Sequence, residues 1–368
     1  MLHQGYEAMG VVVANRRDFL LKKCVAFLSI VLLLLSLTAC KQEQPALKNE
    51  VADTERPIFT VTDQLGRQVA IPRTIERVSI QETHLGFHVA YALGQQDKLV
   101  GEVVLGKLGR VLDSVQRKKV MRGDMGRSHT ANLEELIALR PQVIFCEVSL
   151  DGSSIRQIEA AGLTVVAIKG ETMEESYEAV RLMAKVLGCE ARGEEYINYC
   201  EKLLCLVEDR VRDIPMEKRL KVMISGDQSV FNVASGQMLQ TYILKKTSAD
   251  NVAEKLIGRW PVVSPEQVIR WDPDVILLGS TWGVGRMQEI LDNPQLSTLT
   301  VVQQKRIYAI PSNIGWWDFP APHCVLGIVW VAKTLYPERF GDVNMTEVAD
   351  EYYQKFFGRS FTALGGKL

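Results

Sequence analysis

Asn132-Leu133-Glu134-Glu135-Leu136-Ile137-Ala138-Leu139-Arg140-Pro141-Gln142-Val143-Ile144-Phe145 lies in register with Ser264-Pro265-Glu266-Gln267-Val268-Ile269-Arg270-Trp271-Asp272-Pro273-Asp274-Val275-Ile276-Leu277. Glu, Ile, Pro, Val and Ile coincide. In each copy a polar residue is placed to cap a short helix, and a proline ends it. An apolar run suited to a buried strand follows. Leu136 or Val268, together with the next Ile, is expected to point inward. One helix–turn–strand unit used twice predicts two lobes of similar construction.

Outward from these copies, short apolar strands alternate with amphipathic helices. Phe59–Thr62 and Arg67–Ile71 flank turn residues Asp63-Gln64-Leu65-Gly66 and predict a hairpin. Val78–Ile80, Leu99–Val104, Val143–Cys146 and Val165–Ile168 predict buried strands, with helices at Leu85–Leu93, Leu133–Arg140 and Ser154–Ala161. Such alternation argues for a parallel sheet covered on both faces. Two helices without strands follow, Met173–Leu187 and Glu190–Asp213, the second reaching about 36 Å at 1.5 Å per residue. Strands resume at Lys221–Ser225, Val275–Leu278 and Ile307–Ile310, and Met345–Phe357 forms a last helix.

The N-terminus reads as a targeting segment. Arg16, Arg17, Lys22 and Lys23 precede an uncharged stretch ending Leu37-Thr38-Ala39-Cys40. This resembles the lipobox of bacterial lipoproteins, with Cys40 as the lipidated mature N-terminus; an uncleaved membrane anchor is the alternative. Asn15–Lys22 also resembles a twin-arginine signal, so the Sec and twin-arginine routes both stay open. Polar Lys41–Pro57 reads as a tether. The expected organisation is signal peptide 1–39, tether 40–57, N-terminal lobe 58–188, interlobe helix 189–214, C-terminal lobe 215–344, and C-terminal helix and tail 345–368. A net charge of −1 over 368 residues offers no basic face for nucleic acid. Five cysteines follow Cys40 with no Cys-x-x-Cys pair, which argues against a disulfide framework or zinc knuckle.

Asp63-x-x-Gly66-Arg67-x-Val69-x-Ile71-Pro72 and Arg77-Val78 resemble the opening of the periplasmic-binding family that serves iron-siderophore, haem and cobalamin ABC importers. The repeated units resemble its N-lobe and C-lobe signatures. Trp316-Trp317-Asp318-Phe319-Pro320-Ala321-Pro322, running on to Leu335-Tyr336-Pro337-Glu338, resembles a tail of many members. The resemblance implies two α/β, Rossmann-like lobes joined by one long rigid helix (a class III solute-binding protein), with ligand in the cleft between them. It implies a monomer held to the outer face of the cytoplasmic membrane by its lipid, or to the periplasmic side in a Gram-negative cell. Its partner would be an ABC permease dimer with a cytoplasmic ATPase, met through Glu134 and Glu266.

Ligand contacts in such sheets come from loops beyond the carboxyl ends of strands. Those loops carry Trp260, Trp282, Trp316 and Trp317, with Phe231, then Arg127, Arg259 and Arg286, and the histidines His84, His129 and His323. Aromatic walls suit a broad apolar-faced ligand, and arginines suit carboxylate, catecholate or hydroxamate oxygens. A metal chelate has both features. An iron-siderophore is the expected cargo; haem, cobalamin or another chelate is the alternative, with no resident cofactor. Any one histidine reads as a hydrogen-bonding group or as a metal ligand. Gly101–Leu108 misses a P-loop at Leu108, where a hydroxyl is required, and Gly283-Val284-Gly285 lacks a third glycine. No nucleophile elbow or zinc-protease helix occurs. The expectation is a receptor, not an enzyme; an exported α/β enzyme is the weaker reading.

Overall fold

The computed structural model describes residues 58–81, 84–101, 133–148, 153–226, 229–279, 283–311 and 313–368. The signal segment, Cys40 and the tether lie outside them, as do Arg127, His129, Trp282 and most of the P-loop-like stretch.

The repeated unit folds as the same object twice. Helix α2 (Leu133–Leu139) and helix α7 (Pro265–Trp271) each span seven residues. The next residue is left-handed in both, Arg140 at φ +46° and Asp272 at φ +44°. A buried proline follows, Pro141 or Pro273, and then strand β4 (Val143–Glu147) or β9 (Val275–Leu278). The residue after the proline clasps the neighbouring strand. Gln142 Oε1 accepts from the amides of Glu76 and Arg77, at 2.7 and 3.0 Å, and Asp274 Oδ2 accepts from that of Lys221 at 2.8 Å. A basic side chain at the start of that strand, or just before it, then closes the helix end: Arg77 donates to the Leu139 carbonyl, Lys221 Nζ to that of Trp271 at 3.2 Å. These groups satisfy carbonyls that a helix end leaves open. One expectation fails in both copies. Leu136 and Val268 are buried, but Ile137 and Ile269 face solvent. Adjacent helical positions lie about 100° apart, so both cannot point inward on so short a helix.

In the N-terminal lobe β3 (Val78–Gln81), β4 and β5 (Val165–Ile168) form a parallel sheet in that order. Helix α1 (His84–Ala92) follows β3 and helix α3 (Ser153–Ala160) follows β4. Leu99, expected to open a fourth strand, makes one parallel bridge to Val78. A hairpin of β1 (Ile58–Thr62) and β2 (Gln68–Pro72) closes the lobe. Helices α4 (Met173–Leu187) and α5 (Glu190–Val211) lead to the second lobe. There β6 (Lys221–Gly226) lies between β9 and an antiparallel β7 (Ser229–Val233), β10 (Ile307–Ala309) flanks β9, and β8 (Asp250–Asn251) pairs in parallel with β6. Helices α6 (Leu239–Lys246), α8 (Gly283–Leu291), α9 (Thr300–Gln303), α10 (Cys324–Leu335) and α11 (Met345–Phe357) complete it.

The core strands are apolar at successive positions because both their faces are covered. Val143 and Phe145 of β4 point into one cluster, Ile144 and Cys146 into another; Val275 and Leu277 of β9 likewise part from Ile276 and Leu278. The inner cluster is continuous between lobes. It joins Val78 and Ile80 to Val222, Ile224 and Val275 through buried residues of α4, α5 and α10. The C-terminal α11 is part of this body. Its Tyr352 hydroxyl lies 2.5 Å from that of Tyr196 on α5, both buried, and Arg192 donates to the Lys355 carbonyl at 2.7 Å.

Candidate functional site

Parallel strands gather functional groups at their carboxyl ends, and among the described residues the ends of β5 and β6 lie at a crossing between the lobes. In the N-terminal sheet the best-defined loop follows β5. Thr172 accepts the Glu175 amide at 3.1 Å and starts α4, and Gly170 packs close to Leu85 and Ser176. Between them Glu171 meets Arg259 of the other lobe, 3.0 Å from carboxylate to guanidinium. A second crossing lies one turn along α4, where Tyr242 on α6 donates to Glu174 at 3.1 Å. Burial and the neighbouring Glu174 push the Tyr242 phenol well above its ordinary range, so it stays protonated and donates.

Trp260 sits beside this crossing. Its backbone is left-handed at φ +48°, its carbonyl accepts from Asn232 at 2.9 Å, and its half-buried indole lies on Gly226 at the end of β6. A side chain at Gly226 would meet the ring at 3.0 Å, so the glycine is the seat of this tryptophan. Arg259 and Trp260 are thus consecutive residues, the cation reaching across to Glu171 and the indole seated on the end of β6. Arg286 lies on α8, 3.4 Å from Glu289 on the same helix. Phe231 is on β7, half-buried against the outer cluster of its sheet.

Three further candidates are placed inside the body. Trp316 is 3% exposed and packs on Phe319 with the rings tilted and their centroids 4.7 Å apart. Trp317 is 0% exposed, packs on Phe361, and donates its indole N–H to Tyr353 at 3.3 Å. His323 is buried, 2.7 Å from the Trp316 carbonyl, its ring stacked on His88 of α1 at 4.0 Å. These groups fasten the Trp316–Trp317 turn between α1 and α11; two of the expected aromatic walls are thus core. His84 begins α1.

The sequence reading left out Glu171 and Asp318. Glu171 follows the β5 strand, and the carboxyl-end rule used for the other loops would have found it. Asp318 lay within a quoted segment. It is buried, its backbone carbonyl accepts from Gln240 at 2.8 Å, and its carboxylate lies against Gly279 at the end of β9.

Two α/β lobes on a shared helical spine, with charged and aromatic groups meeting where strand ends face each other, define a solute-binding protein of the class III type. The chain belongs to the periplasmic binding protein family, whose model matches residues 83–314. It is 29% identical over 328 residues to the molybdate-binding protein MolA of Haemophilus influenzae, spanning 82% of this chain and 91% of that one. The Fe(3+)-citrate-binding protein YfmC of Bacillus subtilis is 22% identical over 194 residues, 50% of this chain and 58% of its own. Among solved structures, MolA bound to molybdate aligns with a TM-score of 0.72 at 27% identity, covering 82% of this chain and 98% of that one. A solute-binding protein from Veillonella parvula shares the fold, with a TM-score of 0.69 at 22% identity over 84% of this chain and 98% of its own. As a member, this chain is a substrate-binding component of an ABC importer and works outside the cytoplasm.

Proposed function

We propose that the chain captures a compact metal oxyanion of the molybdate type between lobes 58–188 and 215–344, and delivers it to a permease dimer driven by a cytoplasmic ATPase. The observation that carries this reading is the likeness to a molybdate-binding protein through both lobes, 91% of that relative's length. The cleft chemistry supports it. A broad chelate needs aromatic walls, and burial withdraws Trp316 and Trp317 from that role. Arg259, a fixed cation with planar donors, suits oxyanion oxygens. In this reading Cys40 carries the lipid, Glu134 and Glu266 meet the permease, and the receptor is a monomer. A ferric chelate is the second reading, favoured by the half-buried Trp260 next to Arg259 in the chain and by the citrate-binding relative.

Titration calorimetry on protein truncated after Cys40 tests this with molybdate, tungstate, sulfate, ferric citrate and cobalamin. Molybdate and tungstate should compete for one site, and Arg259→Ala should weaken them by about tenfold or more, the loss of a charge-assisted hydrogen bond. Tight binding of ferric citrate or cobalamin with no response to molybdate would overturn the oxyanion reading.

A further inference from the structure

The exposed isoleucines of the repeated unit have no role in either lobe's packing. Ile137 is 47% exposed and Ile269 is 39% exposed, at equivalent positions of α2 and α7. Each follows an exposed glutamate by three residues, Glu134 or Glu266, so glutamate and isoleucine share one helical face. The Ser264 hydroxyl and the helix backbone hold Glu266 below the usual carboxylate range, keeping it charged. A lone exposed isoleucine is ordinary on a protein surface. The same isoleucine beside the same carboxylate, on matching helices of two lobes, is a surface used twice.

The topology says which way that surface looks. Each helix turns through a buried proline into a parallel strand, so its start lies on the side of the strand's carboxyl end. That is the side on which Glu171 and Arg259 cross between the lobes. Two like patches, one per lobe, therefore lie towards the side on which Glu171 meets Arg259.

We infer that Ile137 and Ile269 are the apolar anchors of permease docking, each entering an apolar pocket beside a basic residue, one pocket on each subunit of a two-fold permease. This rests on the importer reading above. The carboxylates select a basic partner and set orientation, while the isoleucines supply salt-independent affinity. Two identical pockets related by a two-fold axis are what a pseudo-symmetric pair of patches fits.

The test uses full-length protein and the importer, permease with ATPase, in nanodiscs, with affinity measured at low and high salt. Ile137→Ser or Ile269→Ser should each weaken binding about fivefold, and the pair about twentyfold, from the apolar area left unburied. That loss should persist at high salt, whereas the loss in Glu134→Ala/Glu266→Ala should shrink as salt screens the charges. Melting temperature and molybdate affinity should not change, and Ile137→Leu/Ile269→Leu should restore binding. Binding of the double serine variant within twofold of wild type, with wild type docking normally, would overturn the inference alone. A loss confined to one lobe would overturn the paired surface. A wild-type dimer that the serine variant converts to monomer would assign the patches to a second copy instead. Wild-type protein that never engages the importer would remove the importer reading with it.

Discussion

The two copies of the helix–turn–strand unit differ at the residue that fastens them. Gln142 uses a neutral amide, accepting two backbone N–H groups and donating to the Thr74 carbonyl at 3.0 Å, while Asp274 uses a carboxylate on one N–H. Arg77 closes one helix and Lys221 the other. What does not differ is the left-handed turn, the buried proline, the inward Leu or Val, and the outward Glu and Ile. Backbone geometry and burial fix the unit, and its polar fastenings are interchangeable. The outward Glu and Ile, kept in common without being buried, are the residues on which the docking inference rests.

The most forceful way to break the comparison is through the inward position. Leu136→Ala should cost about 3–4 kcal/mol and Val268→Ala about 2 kcal/mol in denaturant unfolding, since a larger side chain leaves a larger cavity. Equal, small losses would mean that the two helices do not carry equivalent core contacts.

A smaller effect sharpens the difference between the lobes. Asp63 in the β1–β2 turn ties the hairpin to the N-terminal sheet. It accepts from the Arg67 guanidinium at 2.5 Å and from the Ala167 amide at 3.1 Å. Burial alone would raise its pKa, but the Arg67 and backbone hydrogen bonds outweigh burial and set it below the usual value. A carboxylate depressed in the folded state contributes stability above its unfolded pKa, near 4, and loses it as pH falls through the folded value. Asp63→Asn should therefore cost about 2 kcal/mol at neutral pH and flatten the acid limb of the stability curve. An unchanged acid limb would show that other carboxylates control acid unfolding.

The smallest effect tests the turn. Glycine tolerates the left-handed region that Arg140 and Asp272 occupy, and aspartate tolerates it better than arginine. Arg140→Gly should raise stability by about 0.5–1 kcal/mol, and Asp272→Gly by less, as shifts in melting temperature. A loss at Arg140 would mean that its side chain does more than cross the turn.

Much of this architecture was legible in the sequence. Met173–Leu187 and Met345–Phe357 fall on their expected bounds because capping residues mark them: Thr172 and Asn344 at the starts, Gly188 and Gly358 left-handed at the ends. The interlobe helix ends at Val211, two residues before the expected Asp213. Strand β7 was missed. Ser229–Val233 falls partly in a stretch read as a cleft loop, although it pairs antiparallel with β6 only a few residues earlier in the chain, across a register irregularity at Ser225–Gly226. Helix α10 was missed for another reason. Cys324–Leu335 is apolar on nearly every face, so it lacks the periodicity that marks a helix with one wet side. The site was legible only as loops. Composition brought Arg259 and Trp260 forward, but it could not separate them from Trp316, which packs on Phe319 and meets His323, or from Trp317, which is held by the C-terminal Phe361 and Tyr353.

The continuous inner cluster has a consequence for traffic at the membrane. Because the two halves share one packed spine, an empty receptor is expected to keep nearly the outline of a full one. An importer would then have little difference in silhouette by which to turn away vacant carriers, and vacant and loaded molecules should contend for the same berth. Uptake plotted against receptor copy number at scarce substrate should climb, crest, and then decline as vacant molecules crowd the entrance.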